Sequence, residues 1–270
     1  MQPQNLSFTP ASMGFSKELG RIAALMAYAL GVHRALMDEE VRSVVAGALG
    51  NEPEELEPDA HTAFVRERML CAVAETFQWY LVSLLRTVFT IHPYQMLARS
   101  ELCDDDTATE APNDRTIPLR LVLECDTREQ LLDSIIEDRV DRLAYKSLKA
   151  LDAYFRKALK LPLTDDAALF TTASRAVAAR NLIVHNRGII NRRFQTLWGD
   201  DAPPLGERFN VDDDFLQNAY QAIGDVVADL DLRAALKYLQ GTDVKTLERV
   251  LELLKRLDGR DADESAAVDS

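Results

Sequence analysis

The spacing of apolar residues constrains this chain most, because it follows the 3.6-residue period of a helix in nearly every apolar segment. Between residues 60 and 90, apolar pairs recur every three or four residues, from Phe64 and Val65 to Leu84 and Leu85. A stripe this wide is typical of a helix in the centre of a bundle. We therefore predict an all-α fold, a helical bundle with additional N-terminal helices.

Capping residues and prolines predict where the helices begin and end. The longest helix should stop before His92-Pro93, since a residue that precedes proline disfavours the helical conformation. Thr127 and Gln130 form a capping box at the start of another helix. Residues 119–123 partly alternate and could form a short strand, although the sequence offers no convincing partner strand. Helices are expected at residues 16–37, 39–49, 60–90, 127–161 (with a break after 138), 164–188, 212–240 and 242–257.

The distribution of polar residues predicts three parts along the chain. Residues 1–58 are expected to be an N-terminal helical extension, which ends in an acidic stretch with two prolines. Residues 59–258 are expected to form the main helical domain. Residues 259–270, GRDADESAAVDS, are too polar to pack and are predicted to be a disordered acidic tail.

The N-terminus and the cysteines predict a soluble, cytoplasmic protein. The first twenty residues have neither the basic nor the apolar region of a signal peptide. The longest apolar stretch, residues 22–32, is shorter than the roughly 20 residues that span a bilayer. The three cysteines, Cys71, Cys103 and Cys125, form no C-x-x-C pair, which favours a reducing compartment.

The charge of the chain is strongly acidic but uneven. A formal net charge of −13 argues against diffuse binding to nucleic acid, because phosphates repel such a surface. Between Asp166 and Asp200, however, there is no acidic residue. Two interpretations remain open: a local site for a bound anion, or arginines that pair with acidic faces elsewhere in the fold. The arginines of this stretch are Arg175, Arg180, Arg187, Arg192 and Arg193.

Common metal, nucleotide and hydrolase motifs are absent from the sequence. There is no H-E-x-x-H, no C-x-x-C, and no glycine-rich phosphate loop or G-x-S-x-G elbow. The aspartate runs 104–106 and 212–214 lack the spacing and the glycine of a calcium loop. We therefore expect neither a metal nor a cofactor.

Residues 180–185, RNLIVH, combine three side chains that are useful in phosphate chemistry. Asn181 and His185 are four residues apart and share a helix face, while Arg180 lies about 140° around the helix from His185. Histidine can transfer protons, and arginine offers a planar fork of donors to a phosphoryl group. The spacing also fits a structural role, since histidine and arginine interact favourably with a helix C-terminus.

This hexapeptide resembles the R-x(4–6)-H motif of the HEPN superfamily, with the polar residue that commonly follows the arginine. The flanking segments HNRGIINRRF and GERFNVDDDFL are similar to those of uncharacterised prokaryotic HEPN proteins. The resemblance covers residues 60–258, and its specific part is about a dozen residues long. It implies a bundle of four to five helices that forms a homodimer, in which two copies of the motif face each other.

The resemblance also implies an activity: active members are metal-independent ribonucleases, often in toxin–antitoxin or antiviral defence systems. If the roles of this motif apply to the present chain, His185 transfers protons and Arg180 stabilises the phosphate. Asn181 then orients the imidazole or the substrate. One HEPN subfamily has a tyrosine that accepts a nucleotide two residues after the histidine, where this chain has Arg187. The remaining residues expected to contact RNA are Arg175, Asn186, Arg187, Arg192 and Arg193.

We therefore expect a metal-independent endoribonuclease with RNA as substrate, a second copy as partner and an inhibitory protein as a further partner. A non-catalytic HEPN module that binds RNA or nucleotide, or acts as a dimerising adaptor, is the first alternative. The second alternative is an interaction protein whose N-terminal helices carry the function. The Arg180, Asn181 and His185 set favours the enzyme, and the negative charge favours the alternatives.

Overall fold

The structure, a computed structural model, describes residues 8–51, 58–97, 117, 119–144 and 146–254. Across these ranges the secondary structure is helical, and the one β feature is an isolated bridge. The predicted all-α helical fold is therefore confirmed. The tail predicted at residues 259–270 lies outside the described residues, and the domain boundary at residue 58 stays a prediction.

Ten α-helices are present in the described part of the chain. A 3-10 turn follows the third helix at Pro93–Leu97, and π-helical turns at Phe155–Leu159 and Ala235–Leu239 extend the sixth and the ninth. The helices are α1 Pro10–Leu36, α2 Glu39–Leu49, α3 Pro58–Ile91, α4 Leu119–Glu124, α5 Arg128–Ala144, α6 Leu148–Tyr154, α7 Ala167–Asn186, α8 Arg192–Trp198, α9 Asp213–Ala234 and α10, residues 244–254.

Several sequence predictions of local structure were wrong. Helix α1 begins at Pro10 rather than near residue 16, and α5 continues without a break past residue 138 to Ala144. Residues 119–123 lie in helix α4 rather than in a strand; an ion pair between Arg120 Nε and Glu124 Oε1, 2.6 Å apart, spans one helical turn. Helix α8 was not predicted. It begins after Asn191, whose side-chain oxygen accepts a hydrogen bond of 2.8 Å from the backbone N–H of Phe194.

The predicted capping box is confirmed, whereas the start of α7 differs by two residues. Gln130 Oε1 accepts from the Thr127 N–H, and Thr127 Oγ1 accepts from the Gln130 N–H, both at 3.1 Å. Helix α7 begins after Asp166, which accepts hydrogen bonds from two backbone N–H groups of its first turn. Thr164, the residue expected at this start, is buried instead.

The described residues divide into two compact units, of which the first comprises those that lie within 1–14, 78–165 and 227–270. A buried carboxylate stands out in this unit: Asp231 is 1% exposed. It accepts hydrogen bonds from the backbone N–H of Thr9 at 2.9 Å, from the Thr9 hydroxyl, and from the Tyr80 hydroxyl at 3.2 Å. Burial and the nearby carboxylate raise the pKa of Tyr80 well above its usual value. Asp231 thus fixes Thr9 beside helix α9.

The second unit comprises residues 15–77 and 166–226, and it contains the RNLIVH segment. Four aromatic rings form a cluster at the end of α8 and the start of α9, with centroids between 5.0 and 5.6 Å apart in five pairs. This cluster fixes α8 against α9. The rings of this cluster belong to Phe194, Trp198, Phe209 and Phe215.

No helix among the described residues is long and apolar enough to cross a membrane.

Candidate functional site

The RNLIVH segment occupies the last two turns of α7, and backbone conformation fixes where this helix ends. Arg187 adopts a left-handed conformation with φ of 51°, and Gly188 follows with φ of 76°. The N–H groups of both residues donate to the carbonyl of Leu182, so the last turn is closed by a C-terminal cap. The predicted end of the helix near Gly188 is therefore confirmed.

The two segments that flank the hexapeptide in the HEPN resemblance lie side by side. Ile189 and Arg208 form an isolated antiparallel bridge. The N–H of Phe209 also donates to the carbonyl of Gly188 at 2.8 Å. The loop before α9 is thus fixed directly against the end of α7.

The guanidinium of Arg180 is fixed on two sides. Its Nε and Nη2 donate to Oε1 of Glu75 on α3, at 3.1 and 2.8 Å, and its Nη1 donates to Oδ1 of Asn181 at 3.1 Å. The Arg180 side chain is 21% exposed, whereas Glu75 is 52% exposed. The ion pair therefore positions Arg180 at the protein surface and offsets part of its charge.

Asn181 and His185 are both exposed on one face of α7, as the four-residue spacing predicts. The His185 imidazole has no hydrogen-bond partner within the described ranges of the chain. Val184, between them, is 45% exposed. The end of α7 thus presents an amide, an imidazole and an apolar side chain to solvent, and Arg180 is hydrogen-bonded to the amide.

The five residues expected to contact RNA fall into two groups. Arg187, Arg192 and Arg193 are exposed, and none of them forms an ion pair with another described residue. Arg175 instead donates to the Trp198 carbonyl at 3.1 and 3.3 Å and pairs with Asp201. Asn186 Nδ2 donates to the carbonyl of Ile189. Three of the five side chains are therefore available to an anion, and two stabilise local structure.

Sequence reasoning missed a second ion pair beside this site. Arg208 Nη2 donates to both carboxylate oxygens of Glu67 at 2.8 and 3.0 Å, and Glu67 is 7% exposed. The sequence did contain a signal for these ion pairs. On α3, Glu67, Cys71 and Glu75 are spaced by four residues, so polar side chains share one helix face inside an apolar stripe. Burial first, and then Glu75, raise the pKa of Cys71.

No group of three or more histidine, cysteine or acidic side chains among the described residues is arranged to hold a metal ion. Independence from metals stays a prediction. Comparison of the chain with protein-family models, with curated proteins and with solved structures finds no match. Membership of the HEPN superfamily therefore stays a prediction.

Proposed function

We propose that this protein is an endoribonuclease of the HEPN type. The observation that carries the proposal is the solvent-facing group at the end of α7. There, Arg180 is fixed by Glu75 and by Asn181, and His185 is exposed on the same face as Asn181. A proton-transfer group and a positioned guanidinium at the end of one helix are the two groups that cleavage of a phosphodiester requires.

The reaction starts from the 2′-hydroxyl of RNA, which is the nucleophile that the substrate itself provides. One His185 removes the proton of this hydroxyl as its oxygen attacks the adjacent phosphorus. The bond from phosphorus to the 5′-oxygen of the next nucleotide breaks, and a second His185 protonates that oxygen. The products are a 2′,3′-cyclic phosphate and a 5′-hydroxyl, so no other reactant is needed.

Arg180 stabilises the extra negative charge that develops on the phosphorane. A guanidinium has five N–H donors, and three of those of Arg180 point to Glu75 and Asn181. Two donors on the Nη atoms remain for phosphate oxygens. Preorganised donors of this kind contribute more than mobile ones, because they need no reorganisation during the reaction. Arg187, exposed two residues after His185, adds a second positive charge.

Purified protein is expected to cut single-stranded RNA in excess chelator and to leave the corresponding DNA intact, because DNA lacks the 2′-hydroxyl. Gel analysis with end-specific enzymes identifies the cyclic phosphate. The Arg180→Ala variant, purified in the same way as the wild type, is the control for a contaminating ribonuclease. Cleavage of DNA at a similar rate, or cleavage that needs an added metal, would contradict the mechanism.

A second copy of the chain is part of this proposal. The sequence of one copy provides one histidine in the motif, whereas the mechanism uses a base and an acid. A two-fold axis through an isologous interface doubles the set. Val184 and Ile189, which are 45% and 40% exposed beside His185, provide apolar surface for such an interface.

Val184→Glu is expected to convert the dimer into a monomer and to lower the cleavage rate, because two carboxylates would meet near the two-fold axis. Light scattering at micromolar concentration measures the molar mass. Leu232→Glu is the matched control, since Leu232 is 44% exposed on α9 and outside the motif. A monomeric wild type with full activity would refute the dimer.

A non-catalytic HEPN module that binds RNA or nucleotide is the second candidate. The Glu75–Arg180 ion pair favours it, because the carboxylate offsets part of the positive charge that would stabilise the extra negative charge of the transition state, while two Nη donors remain for binding a phosphate. Such a module would bind RNA without cutting it, and the chelator experiment distinguishes the two. The ribonuclease proposal also includes a cytoplasmic role in toxin–antitoxin or antiviral defence, with an inhibitory partner protein. A neighbouring antitoxin gene would support this role.

A further inference from the structure

A second concave site lies within the second unit, where α7, α9 and the end of α8 meet. Its volume is about 340 Å³. Arg175, which lines it, lies ten residues before His185, or about 15 Å along the axis of α7. This cleft is therefore separate from the RNLIVH face. Its lining combines apolar and uncharged polar side chains with Arg175, and includes Thr172, Trp198, Phe215, Asn218 and Gln221.

Arg175 provides a fixed planar surface in the cleft. Its guanidinium carbon lies 5.0 Å from the centroid of the Trp198 ring, and hydrogen bonds to the Trp198 carbonyl hold it there. Asp201 pairs with the same guanidinium and offsets its charge. Nucleobases stack on arginine planes as well as on aromatic rings. A neutralised, immobile guanidinium therefore suits an uncharged planar ring better than a phosphate.

The polar side chains of the cleft can contact the edge of such a ring. The Asn218 amide is exposed and has no hydrogen-bond partner in the described part of the chain, so it offers two donors and an acceptor. Gln221 donates through Nε2 to Asp225 at 2.9 Å, which leaves its Oε1 as an acceptor. Asp225 places a carboxylate near the cleft and disfavours an anionic ligand there. Donors and acceptors side by side match the edge of a nucleobase.

We propose that this cleft binds an unpaired nucleobase of the RNA substrate, stacked on Arg175 and read by Asn218 and Gln221. The choice of RNA as ligand rests on the proposed ribonuclease function. A base held here would sit a few nucleotides from the phosphate at His185, so the cleft selects which RNA sequences are presented for cleavage.

The four ribonucleosides test the cleft without any cleavage step, and ligand-observed NMR titration measures their dissociation constants. We expect one nucleoside to bind better than the others. Asn218→Leu should weaken its binding at least fivefold. Gln217→Leu should leave binding unchanged, because Gln217 is an exposed amide on the same helix that does not line the cleft.

The result also separates the cleft from the ribonuclease proposal. If no nucleoside binds, or if the Asn218 and Gln217 variants weaken nucleoside binding equally, the cleft is not a nucleobase site, even if the protein cuts RNA. Specific binding that Asn218→Leu abolishes would support the cleft even if RNA is never cut, and the ribonuclease proposal alone would then fail. In a protein that cuts RNA, Asn218→Leu should also change the preferred sequence at the cut, and His185→Ala should leave nucleoside binding intact.

Discussion

His185→Ala is expected to lower the rate of RNA cleavage by roughly 10²–10⁴-fold, the usual contribution of a positioned general acid or base. The fold should tolerate this change. His185 is exposed, and an exposed histidine loses at most about 1 kcal/mol of favourable interaction with a helix C-terminus. Single-turnover kinetics measure the rate, and urea unfolding followed by circular dichroism measures the free energy of unfolding.

His61→Ala is the matched control for this variant, because His61 is an exposed histidine on α3 outside the motif. It should retain the wild-type rate. If His185→Ala cuts RNA as fast as the wild type, the catalytic role is refuted. If it unfolds the protein instead, the structural interpretation of His185 as part of a helix cap is correct.

Asp231→Ala is expected to lower the free energy of unfolding by about 3–5 kcal/mol. The substitution removes the acceptor of three buried hydrogen bonds, from the Thr9 N–H, the Thr9 hydroxyl and the Tyr80 hydroxyl. A buried donor that loses its acceptor costs about 1–3 kcal/mol. Urea unfolding at pH 7 measures the difference in the free energy of unfolding between the variant and the wild type. The residues around Thr9 should also detach from α9 in the variant.

Asp229→Ala is the control for the second prediction. Asp229 lies on the same helix, is 55% exposed and pairs with Arg233 at 2.8 Å. Exposed pairs of this kind contribute about 0–1 kcal/mol. If the two variants lose the same free energy of unfolding, the hydrogen bonds of Asp231 stabilise the fold no more than a surface ion pair does.

The helices could be predicted because their signals are local. The capping box of Thr127 and Gln130 and the glycine at 188 act within one turn, so sequence spacing contains the whole signal. Residues 119–123 show where this fails. Five residues that partly alternate are compatible with a strand or with a helix. A helix forms its backbone hydrogen bonds within the segment, whereas a strand needs a partner strand, so the helix is favoured here. Helix α8 has seven residues, too few for a clear period.

The candidate site could be predicted only in part for the same physical reason. The shared face of Asn181 and His185 follows from their spacing on one helix. The partner of Arg180, Glu75, is 105 residues away, and Arg175 meets Asp201 across 26 residues. Ion pairs between distant residues depend on tertiary packing, which no local pattern encodes. The sequence therefore left both interpretations of the arginines open, and the structure pairs Arg175 and Arg180 with carboxylates.

In the proposed mechanism, the 2′-hydroxyl of RNA attacks the phosphate at the Arg180 and His185 site. The most direct measurement uses an RNA with one mapped cut and a second RNA that carries a single 2′-deoxynucleotide just before that cut, both in excess chelator. We expect cleavage of the first RNA with a 2′,3′-cyclic phosphate end and no cleavage of the second at that position. Equal cleavage of both RNAs, or a 3′-hydroxyl end, would contradict it.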